Sequence, residues 1–226
     1  MTWEAQPSIY IGSLRLDEPV TTVTDLLVSA VCLYAYNELR KKKLPGNAQT
    51  YFRFYFLLMC IATFFGGVIG HGFLYALSFA WKLPGWIVSM LSVALIERSS
   101  IERARPLIGP KVARFFLGLN IIELLTIMTI TMTSLNFKWV EFHSGYGLLG
   151  VVLPFHSYVY YKTHDKGSLI VISAVLIASV AALVFMNQIS FGIWFNHLDI
   201  SHTIMAIGAY VFYRGALSLQ MTKTLA

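Results

Sequence analysis

Seven residues near the end of the chain combine two imidazoles and a carboxylate, which are groups that bind metals and move protons. The stretch Asn-His-Leu-Asp-Ile-Ser-His spans residues 196–202 and opens an apolar run. Neutral imidazole is a common zinc ligand, and a nearby carboxylate can orient it or accept a proton. Positions five apart on a helix differ by about 140°, so His197 and His202 can bind one ion only if His197 lies on the entering loop. Asp199 and His202, three apart, share a helix face.

Further apolar runs each carry a single ionisable side chain near one end. Asp25 lies in TTVTDLLVS, His71 lies in GGVIGHGF, and His143 follows the start of another run. Together with His202, these groups are predicted on four helices at one level, roughly 5 Å below the outer boundary of the spans. An ionised side chain inside a bilayer costs at least about 2.5–3.5 kcal/mol, so such groups face the bundle interior and pair. We therefore expect one shared polar pocket.

Glu123 and Asn120 extend this expected pocket, since they lie one turn apart near the middle of a fourth apolar run. Structural interpretations stay open for several of the pocket residues. Asp199 can cap the last helix by accepting a backbone N–H. His143 can be a polar side chain at the membrane interface, and Asp25 can hold the end of another helix.

The composition is that of an integral membrane protein with one domain over residues 1–226. Hydrophobic residues make up 57% of the chain and charged residues 12%, whereas soluble domains have about 25% charged residues. A spanning helix needs about 20 mostly apolar residues, and seven such runs are present. They run from Thr21 to Asn37, from Tyr51 to between Gly70 and Leu77, from Leu83 to Ile96 with an extension to Glu102, from Val112 to Met132, from Val140 to Tyr161, from Ser168 to Met186, and from Asp199 to Leu219. The sequence therefore predicts an all-α, seven-helix membrane protein.

The basic residues predict the orientation of these seven helices. Of the 17 lysines and arginines, 14 lie in the loops after helices 1, 3 and 5 and after helix 7. Loops rich in lysine and arginine stay in the cytoplasm. The N-terminus is thus predicted outside, with residues 1–20 as an external tail, and residues 221–226 are predicted as a cytoplasmic tail. Because this asymmetry explains the positive charge, no nucleic-acid partner is expected.

The layout resembles the superfamily of seven-helix membrane hydrolases that includes alkaline ceramidases and adiponectin-receptor-like proteins. In that superfamily one zinc-binding histidine lies late in helix 2 and a histidine pair lies at the start of helix 7. The resemblance assigns these positions to His71, and to His197 with His202. The chain differs in having Gly67 where the superfamily has a serine, and Ser89 but no acid early in helix 3. The motifs GGVIGHGF and HLDISHTIM also resemble a bacterial seven-helix family, a resemblance that implies no function. The expected location is a bacterial cytoplasmic (inner) membrane.

Two functions of different classes follow from these residues. The first is a zinc-dependent membrane hydrolase of a lipid amide or ester, with His71, His202 and either His197 or His143 as ligands. Asp25 or Asp199 would be the base. The second is a non-enzymatic sensor, carrier or binding protein that uses the same pocket for a small ligand or for protons.

The sequence also allows or disfavours three other kinds of protein. Haem ligation by His71 and His202 is a third hypothesis, and a structural subunit of a larger complex is a fourth. A retinal protein is disfavoured because the last helix holds no lysine for a Schiff base. The expected partners are membrane lipids, and the glycines of FFGGVIGHG and GSLIVISA allow tight helix contacts within the chain or in a homo-oligomer.

Overall fold

The computed structural model describes residues 6–219, which form a helical bundle preceded by one short hairpin. The strands are β1 (Ile9–Ile11) and β2 (Leu14–Leu16), which pair antiparallel. The α-helices are α1 (Pro19–Lys42), α2 (Asn47–Phe65), α3 (Leu83–Ile108), α4 (Pro110–Ser134), α5 (Lys138–Gly145), α6 (Leu153–Thr163), α7 (Lys166–Met186) and α8 (His197–Ser218). Short 3-10 turns, Leu74–Ala76 and Phe79–Lys82, link α2 to α3. The predicted tail 221–226 lies outside the described residues.

Two π-helical segments interrupt the regular helices. The first π segment, Gly66–Gly72, continues α2 and contains His71. The second π segment, Tyr146–Val152, joins α5 to α6, so that 138–163 is one continuous rod. At the end of the first, the N–H of Phe73 donates to the carbonyl of Val68, five residues back. Segments of this kind insert one residue into a helix, and they are frequent at functional sites.

Among residues 6–219, five helices are long and apolar enough to cross a membrane. They are Pro19–Lys42, Asn47–Gly72, Phe79–Ile108, Pro110–Ser134 and Lys166–Met186. Outward side chains on these helices are apolar, as Ile122 and Leu183 illustrate with 64% and 56% of their surface exposed. A surface of this type suits contact with lipid. The all-helical class and the membrane character are confirmed, while the 138–163 rod and α8 fall outside these five.

Several helices extend beyond the apolar runs that predicted them. α1 continues past Asn37 to Lys42, and α3 continues to Ile108. Basic side chains favour the C-terminal turn of a helix, and their long stems carry the charge away from the apolar surface. α8 begins at His197 rather than at Asp199, so His197 is not on the entering loop, and the condition under which it could share one ion with His202 is not met.

The N-terminal hairpin lies across one end of the bundle, which we call the upper end. This end carries the start of α1, the first π segment and the start of α8. The N–H of Asp17 donates to the carbonyl of Gly72 over 3.0 Å, and the hydroxyl of Tyr75 donates to the carbonyl of Arg15. Burial raises the pKa of Asp17, but hydrogen bonds from Arg15 and Ser8 outweigh burial and lower that pKa below its ordinary value of 3.8. The predicted external tail is therefore folded from residue 6 onward.

Small residues bring the helices close together at the opposite, lower end. A Cβ on Gly167 would lie 2.6 Å from the backbone N of Leu219, and a Cβ on Gly215 would lie 2.7 Å from Cγ2 of Val171. The glycine in GSLIVISA is thus used for a contact within the chain. Fully buried apolar side chains fill the space between α1, α2, α7 and α8, among them Val28, Cys32, Phe52, Phe56, Val171, Val175 and Ala216.

Candidate functional site

Glu18 and His71 make the first contact of a site at the upper end. Glu18 precedes α1 in the left-handed conformation, with φ of 40°, which residues other than glycine adopt uncommonly. Such conformations persist where the surrounding structure enforces them, and they cluster at functional sites. Nδ1 of His71 donates a 2.5 Å hydrogen bond to Oε2 of Glu18. Because Nδ1 carries the proton, the lone pair of the neutral His71 ring is at Nε2.

The buried carboxylate of Asp25 lies between two histidine rings. Its Oδ2 is 3.8 Å from Nε2 of His71, and its Oδ1 is 3.5 Å from Nε2 of His202. Nδ1 of His202 is 3.3 Å from the hydroxyl of Thr24, whose single proton is donated to the carbonyl of Thr21. Both Nε2 atoms thus face one carboxylate.

Two glycines let the first π segment approach α1 closely enough for this contact. A Cβ on Gly67 would lie 2.9 Å from Cβ of Asp25 and 3.0 Å from the carbonyl oxygen of Thr22. A Cβ on Gly66 would lie 3.1 Å from Oδ2 of Asp25. Glycine is required here for space, since the segment has ordinary helical dihedral angles at its start. The glycines of FFGGVIGHG therefore serve a contact within the chain.

These donors are of the kinds that bind a divalent metal ion, but they form an open set. Nitrogen and oxygen ligands bound tetrahedrally to one zinc ion are about 3.3 Å apart, whereas the two rings lie 3.5 and 3.8 Å from different oxygens of Asp25, with ring centroids 6.3 Å apart. Two histidines and one carboxylate are a recurrent donor set of non-haem iron and catalytic zinc sites. Glu18 and Thr24 hold the far ring nitrogens, as outer partners do for metal-bound histidines. Haem does not fit, because the Asp25 carboxylate occupies the space between the two Nε2 atoms.

A pocket of about 390 Å³ opens beside the site from the His71 side. Its polar lining is supplied by Glu18, Asp17 and Lys82 in addition to His71. Its apolar lining comes from the 3-10 turns that follow the first π segment, through Leu74, Tyr75, Leu77 and Phe79. A volume of this size holds a small molecule or one part of a larger one.

Asp199 and His197 belong to the start of α8, where Asp199 makes structural contacts. Asp199 accepts from the backbone N–H of Asn196 over 2.7 Å, from the amide of Gln6 over 2.6 Å, and from the hydroxyl of Thr21 over 2.8 Å. Asp199 thus closes a capping box with Asn196 and ties the N-terminal segment to α8. The ring of His197 packs 5.7 Å from the ring of Phe185. Asp199 therefore caps the last helix, as the structural interpretation of the sequence allowed, and the backbone N–H that it accepts is that of Asn196.

A second polar cluster joins α3, α4 and α5 near the middle of the bundle. One ligand atom from each of Glu97, Glu123 and His143 lies within 4.8 Å of the other two. Nδ1 of His143 is 2.8 Å from Oε1 of Glu123, and its Nε2 is 3.0 Å from the carbonyl of Met90. The amide of Asn120 donates to Oε2 of Glu97 over 2.9 Å. The expected single pocket is therefore two clusters, because the predicted residues Glu123, Asn120 and His143 lie here and not beside His71.

Sequence analysis missed two carboxylates, Glu18 and Glu97. Glu18 lies in the segment that was predicted as an external tail, and a tail gives no signal of a contact with a histidine 53 residues later. Glu97 follows the apolar run of helix 3 and lies within its predicted extension to Glu102, but it was not singled out. The structure continues α3 to Ile108 with Glu97 buried inside the helix, and its place next to the apolar run was the available signal.

One protein family matches the chain in sequence. The match covers residues 20–221, and the family is described as a family of unknown function, DUF6962. No curated protein matches the sequence. The matched range contains Asp25, His71 and His202 of the upper site and all members of the second cluster.

Proposed function

Because the chain belongs to the family of unknown function DUF6962, we propose its function from the geometry of the upper site. The protein is a zinc-dependent membrane hydrolase that cleaves an amide or ester bond of a lipid. His71, His202 and Asp25 are the residues that hold the metal. The observation that carries this proposal is that the Nε2 atoms of both histidines lie within 3.8 Å of the same buried carboxylate. In a medium of low dielectric constant, positive charge between the rings and the carboxylate stabilises this arrangement, and a metal ion can supply it.

In this proposal seven helical units cross the membrane, with the upper end outside. They are α1, α2 with the first π segment, α3, α4, the 138–163 rod, α7 and α8. α8 has 22 residues and is about 33 Å long, which exceeds the roughly 30 Å hydrocarbon core. The basic residues Arg40, Lys41 and Lys42 end α1 at the lower end, which is thereby the cytoplasmic end of a bacterial inner-membrane protein. A C-terminal fluorescent-protein fusion should fluoresce and a C-terminal alkaline phosphatase fusion should be inactive. The opposite pattern would contradict this orientation.

The side chains around the pocket supply the remaining chemistry. When bound, zinc lowers the pKa of a water molecule to about 7 and polarises a carbonyl group. Glu18 lines the pocket and accepts a proton from the attacking water. The water oxygen bonds to the carbonyl carbon, the amide or ester bond breaks, and Glu18 gives the proton to the leaving amine or alcohol. Lys82 lines the same pocket, and its ammonium group offsets negative charge that develops on the carbonyl oxygen.

The pocket lining indicates the class of substrate. Leu74, Leu77 and Phe79 place apolar surface next to Glu18 and Lys82, at the membrane boundary of the bundle. An amphipathic lipid fits this combination, since its acyl part contacts the apolar wall while its polar linkage reaches the carboxylate. Asp199 takes no catalytic part, because its oxygens already accept three hydrogen bonds from other groups.

Elemental analysis of detergent-purified protein tests this proposal. We expect the His71→Ala and His202→Ala variants each to lose about one zinc per chain and all hydrolysis of fluorescent lipid amides and esters. The matched control is His164→Ala, because His164 ends α6 near Tyr160 and lies far along the chain from the site. Equal zinc content in all three variants and the wild type, or unchanged hydrolysis in the two site variants, would overturn the proposal.

One observation also favours a proton-coupled carrier. Glu18, His71, Asp25 and His202 form a continuous series of groups that exchange protons, from the pocket into the bundle. Under this second candidate, metal-free protein in liposomes should move protons, and Asp25→Asn should abolish that flux. Proton flux that is unaffected by Asp25→Asn would eliminate the carrier.

A further inference from the structure

The second polar cluster has a deficit of positive charge. The side chain of Glu97 is fully buried, His143 is fully buried, and Glu123 is 12% exposed. Two carboxylates and one imidazole thus meet inside the bundle. Among residues 6–219, neither carboxylate forms an ion pair with a lysine or arginine. The nearest guanidinium in the hydrogen-bond network, that of Arg98, donates to Asn120 and to the carbonyl of Leu117.

The hydrogen bonds of His143 fix where its lone pair points. The carbonyl of Met90 can only accept, so Nε2 of His143 donates to it over 3.0 Å. The lone pair of the neutral ring is then at Nδ1, which lies 2.8 Å from Oε1 of Glu123. One proton between these two atoms makes the contact an ordinary hydrogen bond, and a metal ion that replaced this proton would be bound by the same two atoms. A backbone carbonyl that holds the far nitrogen is also a common outer partner of a metal-bound histidine.

Two buried carboxylate oxygens have no donor among the described residues. They are Oε1 of Glu97 and Oε2 of Glu123. A buried, unpaired carboxylate oxygen is costly in a low-dielectric interior, so native proteins rarely retain one without a ligand. Both oxygens belong to the groups whose ligand atoms lie within 4.8 Å of one another.

The second π segment packs directly against Oε1 of Glu97. A Cβ on Gly147 would lie 2.5 Å from Oε1 of Glu97 and 2.6 Å from Cγ1 of Val93, so only glycine fits there. A cavity of about 10 Å³, lined in part by Glu97, Asn120 and Tyr146, adjoins the carboxylate. That volume is close to what one water molecule needs.

We propose that Glu97, Glu123 and His143 form a second binding site for a divalent transition-metal ion inside the bundle. Two carboxylates balance the charge of a divalent ion, and the neutral imidazole adds a nitrogen ligand, a donor set that suits Zn²⁺, Mn²⁺ or Fe²⁺. Three protein ligands leave a position for one water molecule, for which the adjoining cavity has room. Neither this site nor its ligands depend on the hydrolase proposed above.

Cobalt titration of metal-stripped protein tests this site, since Co²⁺ replaces Zn²⁺ and absorbs visible light. The background variant carries His71→Ala and His202→Ala, which removes the upper histidines. We expect it to bind about one Co²⁺ per chain with ligand-field absorption. Adding Glu97→Gln should weaken Co²⁺ binding at least about 100-fold, since loss of even an outer partner costs 10–100-fold. The matched control is Glu141→Gln, on the same helix as His143, and it should leave binding unchanged.

Three outcomes would overturn the second site. The first is a background variant that binds no Co²⁺, because a proton then suffices as the cation of the cluster. The second is equal binding by the Glu97→Gln and Glu141→Gln proteins. If Glu97→Gln does not fold, the background variant is loaded with Cu²⁺ instead, and its electron paramagnetic resonance spectrum must show coupling to one imidazole nitrogen. The third is the absence of that coupling. If His71→Ala loses zinc and hydrolysis but retains Co²⁺ binding, both the hydrolase proposal and the second metal site are supported. If Co²⁺ binding is retained but the wild-type protein hydrolyses no lipid, only the hydrolase proposal is overturned.

Discussion

Replacing Gly67 by alanine tests whether close contact between α1 and the first π segment holds the upper site together. The added Cβ would lie 2.9 Å from Cβ of Asp25 and 3.0 Å from the carbonyl oxygen of Thr22, which is backbone and cannot rotate away. Overpacking of a tight interior contact costs about 1–3 kcal/mol. Alanine recovers about 0.5–1 kcal/mol relative to glycine inside a helix. The net loss is therefore about 0–2.5 kcal/mol, or a fall in Tm of up to about 10 °C for a chain of this size.

The matched control for this experiment is Gly70→Ala in the same π segment. A Cβ on Gly70 would meet only the carbonyl oxygen of Phe65, at an ordinary 3.8 Å. Thermal unfolding of both variants in the same detergent, followed by tryptophan fluorescence, should show a lower Tm for Gly67→Ala than for Gly70→Ala. The Gly67→Ala protein should also lose zinc, because a shift of α1 moves Asp25 away from the two rings. Equal Tm values would refute the reasoning that this contact is close-packed.

Three further predictions concern other contacts. Folding lowers the pKa of Asp17, so its contribution to hairpin docking is complete above the ordinary pKa of 3.8 and is lost as pH falls through the folded pKa. Amide hydrogen exchange should therefore show that protection of the hairpin falls in that pH range. The Asp17→Asn variant should lack this pH dependence. Asp199→Ala leaves the buried hydroxyl of Thr21 and two other donors without their acceptor, so unfolding in denaturant should show a loss of about 2–4 kcal/mol with zinc content unchanged. Gly167→Ala would set a Cβ 2.6 Å from the backbone N of Leu219, so its Tm should fall further than that of Gly67→Ala, and a smaller fall would contradict the contact.

Apolar runs were enough to predict the helices but not their ends. The run from Ser168 to Met186 differs by only two residues from α7, because that helix is apolar almost throughout. α1 and α3 extend well past their apolar runs, since charged residues end a hydropathy signal without ending a helix. The hairpin had a signal of its own, because Gly12 and Ser13 separate two short alternating strands, a spacing typical of a two-residue turn.

The members of the upper site were recognisable, whereas their partners were not. Asp25, His71 and His202 stand out as isolated ionisable groups in apolar segments, which is a signal that hydropathy contains. Whether two such groups meet depends on the rotation of each helix about its axis, and the π segments change that rotation without any change in hydropathy. For this reason His143 was predicted beside the other histidines, while in the structure it contacts Glu123 and Met90.

Because of the first π segment, the direction of the His71 side chain depends on the number of residues in this segment as well as on their identity. A π-helical turn holds one residue more than the α-helical turn it replaces, and each residue turns the helix by about 100°. Deleting a single residue between 66 and 70 would restore a regular helix and swing the His71 imidazole away from Asp25, although every side chain of the site would still be encoded. In an alignment of relatives, a one-position gap in this stretch would therefore identify chains that retain the histidine but not its contact with the aspartate.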